Sequence, residues 1–373
     1  MKKILFLTGT RADFGKIKSL IEALEAQDGF EVFVFVTGMH LQHEYGYTLI
    51  EIERCGFKNL HTFSNHTHET TMDLTLAKTI EGFSAYAKTI HPDLIVVHGD
   101  RVETLAGAIT GSLNNILVAH IEGGELSGTV DELIRHSVTK LSHIHFVSND
   151  DAARRLVQMG ETKSSVYTIG SPDVDIMFSP NLPKLPEVKD HYDIAFDQYA
   201  IAMFHPVTTE AGEMQKYAHD FAKALLEDSH NYIVIYPNND LGSRYILDAY
   251  AGFEHNERFR VFPSLRFEYF LVLLHNARFI IGNSSAGIRE APYYGIPVIN
   301  VGTRQQNRAL HADIVNVGYA ADEVSRALSS IDSHKVKNAA DDFGKGDSTK
   351  LFIDSLSEPD FWKINQQKQF RDS

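Results

Sequence analysis

The chain has 373 residues, 43% hydrophobic and 23% charged, which is the make-up of a globular protein with room for two domains and excludes disorder or a whole-chain coiled coil. Lys and Arg number 35 against 49 Asp and Glu, a net charge of −14. That balance argues against nucleic-acid or membrane partners, whose phosphates need a broad basic footprint, and leaves room only for a local basic pocket.

The single cysteine, Cys55, excludes an intramolecular disulfide framework and a thiolate-rich metal site. Near the amino terminus, Lys2 and Lys3 precede only four apolar residues before Thr8, too few for a signal-peptide core. Other apolar runs, such as Phe270 to Leu274, fall far short of the ~18 residues of a membrane span. The expectation is a soluble cytoplasmic protein.

Short apolar runs alternate with longer amphipathic ones, the pattern of parallel strands joined by helices. The predicted strands of the first half are Ile4 to Thr8, Val32 to Val36, Leu94 to Val97, Ile116 to Ile121 and Ile144 to Val147. Helices are expected at Ile17 to Gln27, Val102 to Leu113 and Asp131 to Leu141, the last with a capping box between Thr129 and Glu132. Pro180, Pro183 and Pro186 interrupt any periodicity and mark a linker. A second series follows, with strands at Ala200 to Phe204, Tyr232 to Tyr236, Arg260 to Phe262, Phe279 to Ile281 and Val298 to Val301. Its helices are expected near Glu210 to Leu226, Phe267 to Asn276 and Ile288 to Tyr294. The fold class that results is α/β, with two doubly wound Rossmann-like domains facing across a cleft. The first domain spans 1–178, the linker 179–190 and the second domain 191–350, with the remainder at 351–373.

In such sheets ligands bind beyond the carboxyl ends of the strands, so the residues that follow each strand are the candidates. After the first strand, Gly9 to Lys16 forms a loop with two glycines and the cations Arg11 and Lys16, suited to an anion or simply a turn with solvated charges. His98, Gly99, Asp100 and Arg101 follow the third predicted strand, and His120 to Glu125 close the fourth. Asp100, Glu122 and Asp131 thus stand at adjacent junctions, where carboxylates sharing a pocket push one another's pKa apart and supply both an acid and a base. Each taken singly also reads as a helix amino-terminal carboxylate answering the dipole. Arg135, four residues after Asp131, is either its ion-pair partner or a pocket cation.

In the second half, Gly282 to Gly287 follow a strand and precede a helix, and Asn283, Ser284, Ser285 and Gly287 offer small side chains, hydroxyls and backbone N–H groups to a phosphate. Glu290 is either an acceptor for a ribose diol or an exposed helix carboxylate. His205, Arg266 and Arg304 complete the candidates. The 19 histidines include the pairs His66/His68 and His143/His145, but no HExxH or cysteine-containing ligand set accompanies them, and neither metal nor cofactor is expected.

The segments His98 to Arg101, His120 to Glu132, Ile134 to His143, Phe204 to Glu210, Gly282 to Glu290 and Val301 to Arg308 closely resemble the hydrolysing UDP-N-acetylglucosamine 2-epimerases of sialic acid biosynthesis. The resemblance implies a GT-B arrangement with the carboxy-terminal helices crossing back onto the first domain, a UDP-sugar substrate with UDP as product held mainly by the second domain, and a homodimer. It further implies that Asp100, Glu122 and Asp131 are the acid–base set, with Asp100 or Asp131 taking the C2 proton and Glu122 acting in hydration. It makes His205 a pocket residue near the phosphates and sugar, and Arg135 and Arg304 substrate contacts. A sister group acting on UDP-2,4-diacetamido-2,4,6-trideoxyglucose shares most of these motifs. Two readings of another class remain: a GT-B glycosyltransferase, and a nucleotide-sugar sensor with no use for three clustered carboxylates.

Overall fold

In a computed structural model, which describes residues 1–67, 71–127, 130–305, 312–336 and 342–369, the chain divides into two compact units. The first comprises Met1–Glu125, Asp131–Ser179 and Asp342–Ser373, and the second Leu126–Val130 and Pro180–Asp341. No helix among the described residues is long and apolar enough to cross a membrane.

The first unit is built on seven parallel strands: β1 (Lys2–Thr8), β2 (Phe30–Val36), β3 (Leu60–Thr62), β4 (Leu94–His98), β5 (Leu117–Ile121), β6 (Ile144–Val147) and β7 (Val166–Thr168). Their order is β3-β2-β1-β4-β5-β6-β7, so the winding reverses between β1 and β4. The central strands are buried on both faces, which is why they read as unbroken apolar runs. β3 and β7 escape the sequence pattern because they are three-residue edge strands with no buried residue. The helix Met72–Ile90 escapes it for a related reason. Its buried residues are Thr79, Gly82, Phe83 and Ala87, mostly too small or polar to make an apolar stripe.

The second unit repeats the plan with β8 (Ala200–Met203), β9 (Tyr232–Ile235), β10 (Phe259–Phe262), β11 (Ile280–Gly282), β12 (Val298–Val301) and β13 (Ile314–Val317). All pairings are parallel in the order β10-β9-β8-β11-β12-β13, with reversal between β8 and β11. Both units are therefore doubly wound α/β domains. The stretch expected as a linker instead contains the helix Leu185–His191, because Pro186 lies in its first turn, where a missing N–H costs nothing. The expected helix at Ile288 to Tyr294 is shorter, Glu290–Tyr293, preceded by a 3₁₀ turn at Ser285–Gly287.

The chain re-enters the first unit at Asp342 rather than at 351. Gly170 and Gly344, both at positive φ, let the two backbones meet; a Cβ on Gly344 would lie 2.7 Å from Gly170 Cα. The Asp175 carboxylate accepts the backbone N–H groups of Ser348 and Thr349 at 3.0 and 2.7 Å, capping the helix Ser348–Ser357 from outside. Phe352 of that helix is fully buried, its ring 4.8 Å from Phe146 and 6.5 Å from Phe6. A Phe352→Ala substitution is expected to destabilise the first unit by about 3–5 kcal/mol, the range for emptying a buried aromatic site, read as a drop in the denaturant midpoint with an unchanged slope.

Candidate functional site

The first loop is shorter than its sequence suggests. Thr10 caps a helix that starts at Arg11, accepting the Asp13 N–H at 3.2 Å while Asp13 returns a bond to the Thr10 N–H at 3.1 Å. Lys16 is therefore a helical residue and points inward. It is 7% exposed, with its ammonium 3.4 Å from the carboxylates of both Glu122 and Asp173. The capping box draws residues 11 to 16 into the helix, so Lys16, expected in a loop, is a helical residue paired with two carboxylates. Arg11 lies 3.6 Å from Glu51.

Beneath this loop a buried chain of hydrogen bonds runs from Asp13 through the Thr8 hydroxyl to His40 Nε2 at 2.9 Å, and from His40 Nδ1 to Thr48 at 2.6 Å. Burial pushes the Asp13 carboxyl above its ordinary value despite the bonds it accepts from Thr8 and Gly9. Burial and the nearby Arg11 charge push His40 down to about 3. Glu103 sits under Gly9, close enough that a Cβ on Gly9 would meet its side chain at 2.9 Å, and Arg101 Nε lies 3.6 Å from its carboxylate.

The three predicted carboxylates belong to the first unit, and one of them, Asp100, meets a buried cation. Arg135, on the helix Val130–Leu141, is fully buried. Its guanidinium binds the Asp100 carboxylate and donates to the Glu125 carbonyl oxygen at 3.3 Å. Burial would lower the pKa of this cation, but the charges of Asp100, Glu125, Glu122 and Asp131 outweigh it and leave it raised. Arg135 is thus the buried counter-ion of Asp100. The Thr129 cap expected for this helix lies outside the described residues.

Glu122 follows β5 in the left-handed region, φ 71°, a conformation that costs a bulky residue roughly 1–3 kcal/mol and is held by its surroundings. Its N–H bonds to the Phe146 carbonyl at 3.0 Å, and the turn aims its carboxylate at His98, whose Nε2 lies 3.0 Å away. His120 ties the junctions together. Its Nε2 donates to the Gly99 carbonyl at 2.9 Å and its Nδ1 accepts from the Thr139 hydroxyl at 3.2 Å. Burial pushes His120 down to about 3, so it stays neutral in this role.

In the second unit the switch point between β8 and β11 is closed by one amide. Asn283, fully buried, accepts the His205 N–H at 2.6 Å and donates to the His205 carbonyl at 2.9 Å. Its own carbonyl takes Arg304 Nη1 at 3.2 Å and Gln305 Nε2 at 3.0 Å. The Asn283 side chain, expected to face a ligand, is engaged in holding His205. His205 Nδ1 accepts the Asn238 N–H at 3.0 Å, which assigns its proton to Nε2 when neutral. Gly282, at φ 131°, allows β11 to approach β8 so closely that a Cβ would lie 1.9 Å from the Met203 carbonyl oxygen. Ser284 Oγ accepts the Ala286 N–H at 3.3 Å, and Ser285 and Gly287 form the following 3₁₀ turn. Glu290 is 3% exposed, so the exposed-carboxylate reading does not apply. Arg266 has an aromatic setting of its own: its N–H donates to the Tyr192 hydroxyl at 2.8 Å and its guanidinium lies 5.2 Å from the Tyr269 ring centroid.

Sequence reasoning did not single out Asp173, Glu103, Asn238, Gln305 or His40, and named His98 only as a residue at a strand end. His98 and Gln305 stood inside quoted motifs, and position after a strand was the available signal; Asp173 and His40 are brought in by packing alone. The histidine pair His143 and His145 turns to hydrogen bonds with Gln366 and Glu161. His66 is described, whereas His68 and Arg308 lie outside the described residues.

Two of the fully buried histidines, His40 and His120, carry a pH prediction. Unfolded, each takes a proton near pH 6.5; folded, each refuses it down to about pH 3. Stability is therefore complete above pH 6.5 and declines as pH falls, by about 2 kcal/mol for each histidine between pH 6.5 and 5. Denaturation midpoints measured across that interval check this, and His120→Gln is expected to flatten the dependence.

The model of the family described as UDP-N-acetylglucosamine 2-epimerase matches residues 22–357. A UDP-N-acetylglucosamine 2-epimerase of Neisseria meningitidis is 48% identical over 100% of this chain and 99% of that protein. A hydrolyzing UDP-N,N'-diacetylbacillosamine 2-epimerase of Legionella pneumophila is 31% identical, covering 90% of this chain and 91% of its own. In fold, the chain is similar to the Methanocaldococcus jannaschii UDP-GlcNAc 2-epimerase solved with UDP-GlcNAc and UDP, with TM-score 0.82, 21% identity and coverage of 96% and 99%. With a family model across most of its length and a near-half-identical relative end to end, this chain belongs to the UDP-N-acetylglucosamine 2-epimerase family.

Proposed function

We propose that the chain is a hydrolysing epimerase that converts UDP-N-acetylglucosamine and water into N-acetylmannosamine and UDP. The observation that carries this reading is the charged cluster of the first unit: Asp100 paired with the buried Arg135, Asp131 one helical turn before that cation, and Glu122 held by Lys16 and His98. A glycosyl transfer or a binding role has no need of three such carboxylates in the first unit. The Neisseria relative's substrate supports the sugar, and the Legionella relative's hydrolyzing activity supports the use of water.

The chemistry runs in two balanced steps. A carboxylate, Asp100 or Asp131, takes the C2 proton; the C2–H electron pair becomes a C1=C2 double bond as the C1–O bond breaks and UDP leaves. Departure of UDP makes C1 cation-like and the C2 proton acidic enough for a carboxylate to remove. Water then adds at C1 of the 2-acetamidoglucal and a proton returns to C2 from the opposite face, with Glu122 serving this step. Lys16 and His98, both against the Glu122 carboxylate, set its position for that task. UDP is assigned to the second unit, where His205 presents an N–H donor and Ser284 and Ser285 small polar groups, all suited to phosphate oxygens.

The first test follows UDP-N-acetylglucosamine in deuterated water by NMR. Free N-acetylmannosamine deuterated at C2, appearing with UDP, is the expected result. UDP-N-acetylmannosamine in its place overturns the hydrolytic step, and turnover confined to the diacetamido-trideoxy sugar moves the chain to the Legionella relative's substrate. The second test is a mutant series. Asp100→Asn, Asp131→Asn and Glu122→Gln are each expected to lower kcat by about 10²-fold or more. Glu122→Gln is expected to release 2-acetamidoglucal, and loss of UDP binding alone in all three variants would sink the assignment. Asp100→Asn is also expected to lower Tm, since it leaves Arg135 buried without its direct partner.

A further inference from the structure

We infer that Lys368 is a positioning residue for the acid–base carboxylates, acting through the carboxyl end of the helix Val130–Leu141. This deepens the epimerase reading and rests on it for the activity it concerns.

The helix carries Asp131 and Arg135 near its start, and its last carbonyls need partners. Lys368 meets this end of the helix. Its ammonium donates to the Ser142 carbonyl at 2.6 Å, the Thr139 carbonyl at 3.2 Å and the Glu161 carboxylate at 2.5 Å. A cation at this end of a helix also answers its dipole. Glu161 is buried and gathers Lys140 at 2.8 Å and His145 at 3.0 Å as well. Burial would raise the Glu161 carboxyl, but His145, Lys140 and Lys368 hold it down at about 2.

The same segment grips the next residues of the chain. His143 Nδ1 accepts the Val118 N–H at 3.1 Å, so its proton is on Nε2, which donates to the Gln366 carbonyl at 2.9 Å. The corner between the catalytic helix and β6 is therefore held by Gln366 and Lys368 together. From Thr139 the path returns to the site. Its hydroxyl bonds to His120, His120 holds Gly99, and the neighbouring Asp100 binds Arg135, one turn before Thr139 on the same helix. Lys368 thus anchors the far end of a closed ring of contacts that includes Asp100 and Arg135. Neither side chain nor backbone of residues 364–369 contributes to that set directly.

The test compares Lys368→Met and Lys368→Arg with the native chain in UDP-N-acetylglucosamine turnover and in amide hydrogen exchange of the segment 130–141. Because small misplacement of reacting groups is amplified in rate, Lys368→Met is expected to lower kcat by about tenfold, with KM within about twofold. Exchange in 130–141 is expected to accelerate while that of the second unit's helix Met214–Glu227 stays unchanged, and Lys368→Arg is expected to restore most of both. An unchanged kcat, with or without faster exchange, overturns the inference. So does a rise in KM alone, or a uniform acceleration of exchange throughout the first unit, which marks a merely structural role. A native chain that does not turn over this sugar defeats the functional reading instead, and the exchange comparison still decides whether Lys368 holds the helix.

Discussion

A guanidinium with no solvent contact is the constraint on which the first unit's chemistry depends. Arg135 cannot shed its charge, so its burial is tolerable only where carboxylates surround it. Asp100 comes from the β4 junction, Glu122 from the β5 junction, and Asp131 from the same helix one turn earlier. Asp100 is paired with this cation and Glu122 with Lys16, so elements far apart in sequence acquire a common geometry. A buried charge network of this kind adds little to net stability, but it rewards one arrangement and penalises others.

The two units use one topology for different chemistry. Both reverse their winding order between the first and fourth strands of the sheet, and both place polar residues at that point. In the first unit the junctions carry charge: Lys16, Asp100, Glu122 and Arg135 in paired arrangements of low exposure. In the second the junction is closed by the neutral amide of Asn283, which locks His205 by both backbone groups. Charged groups suit proton transfer.

Rigidity at the carboxylates comes from residues that never meet them. Glu122 sits in a strained conformation that its neighbours hold, and His120, kept neutral by burial, joins Gly99 to Thr139. The crossing segment from Asp342 onward adds the last supports, with Phe352 in the core of the first sheet and Lys368 at the end of the helix Val130–Leu141.

Periodicity and small-residue punctuation determined, by themselves, the alternation of strands and helices, the two doubly wound halves and the polar character of the strand ends. They did so because a parallel strand buried on both faces has to be apolar throughout and has to end where the backbone meets solvent or ligand. The family motifs, which are contiguous in the chain, were legible for the same reason that they are local. Elements without an apolar stripe were not: the edge strands β3 and β7 and the small-residue helix Met72–Ile90 exist through their neighbours. Tertiary structure alone decided that Lys16 faces Glu122 and Asp173, that Arg135 is buried against Asp100, that Asn283 serves His205, and that Lys368 reaches Thr139 and Ser142. Such pairings join residues tens to hundreds of positions apart. A side chain's type announces that it needs a partner, but only the folded chain, by bringing particular strands and helices together, selects which one.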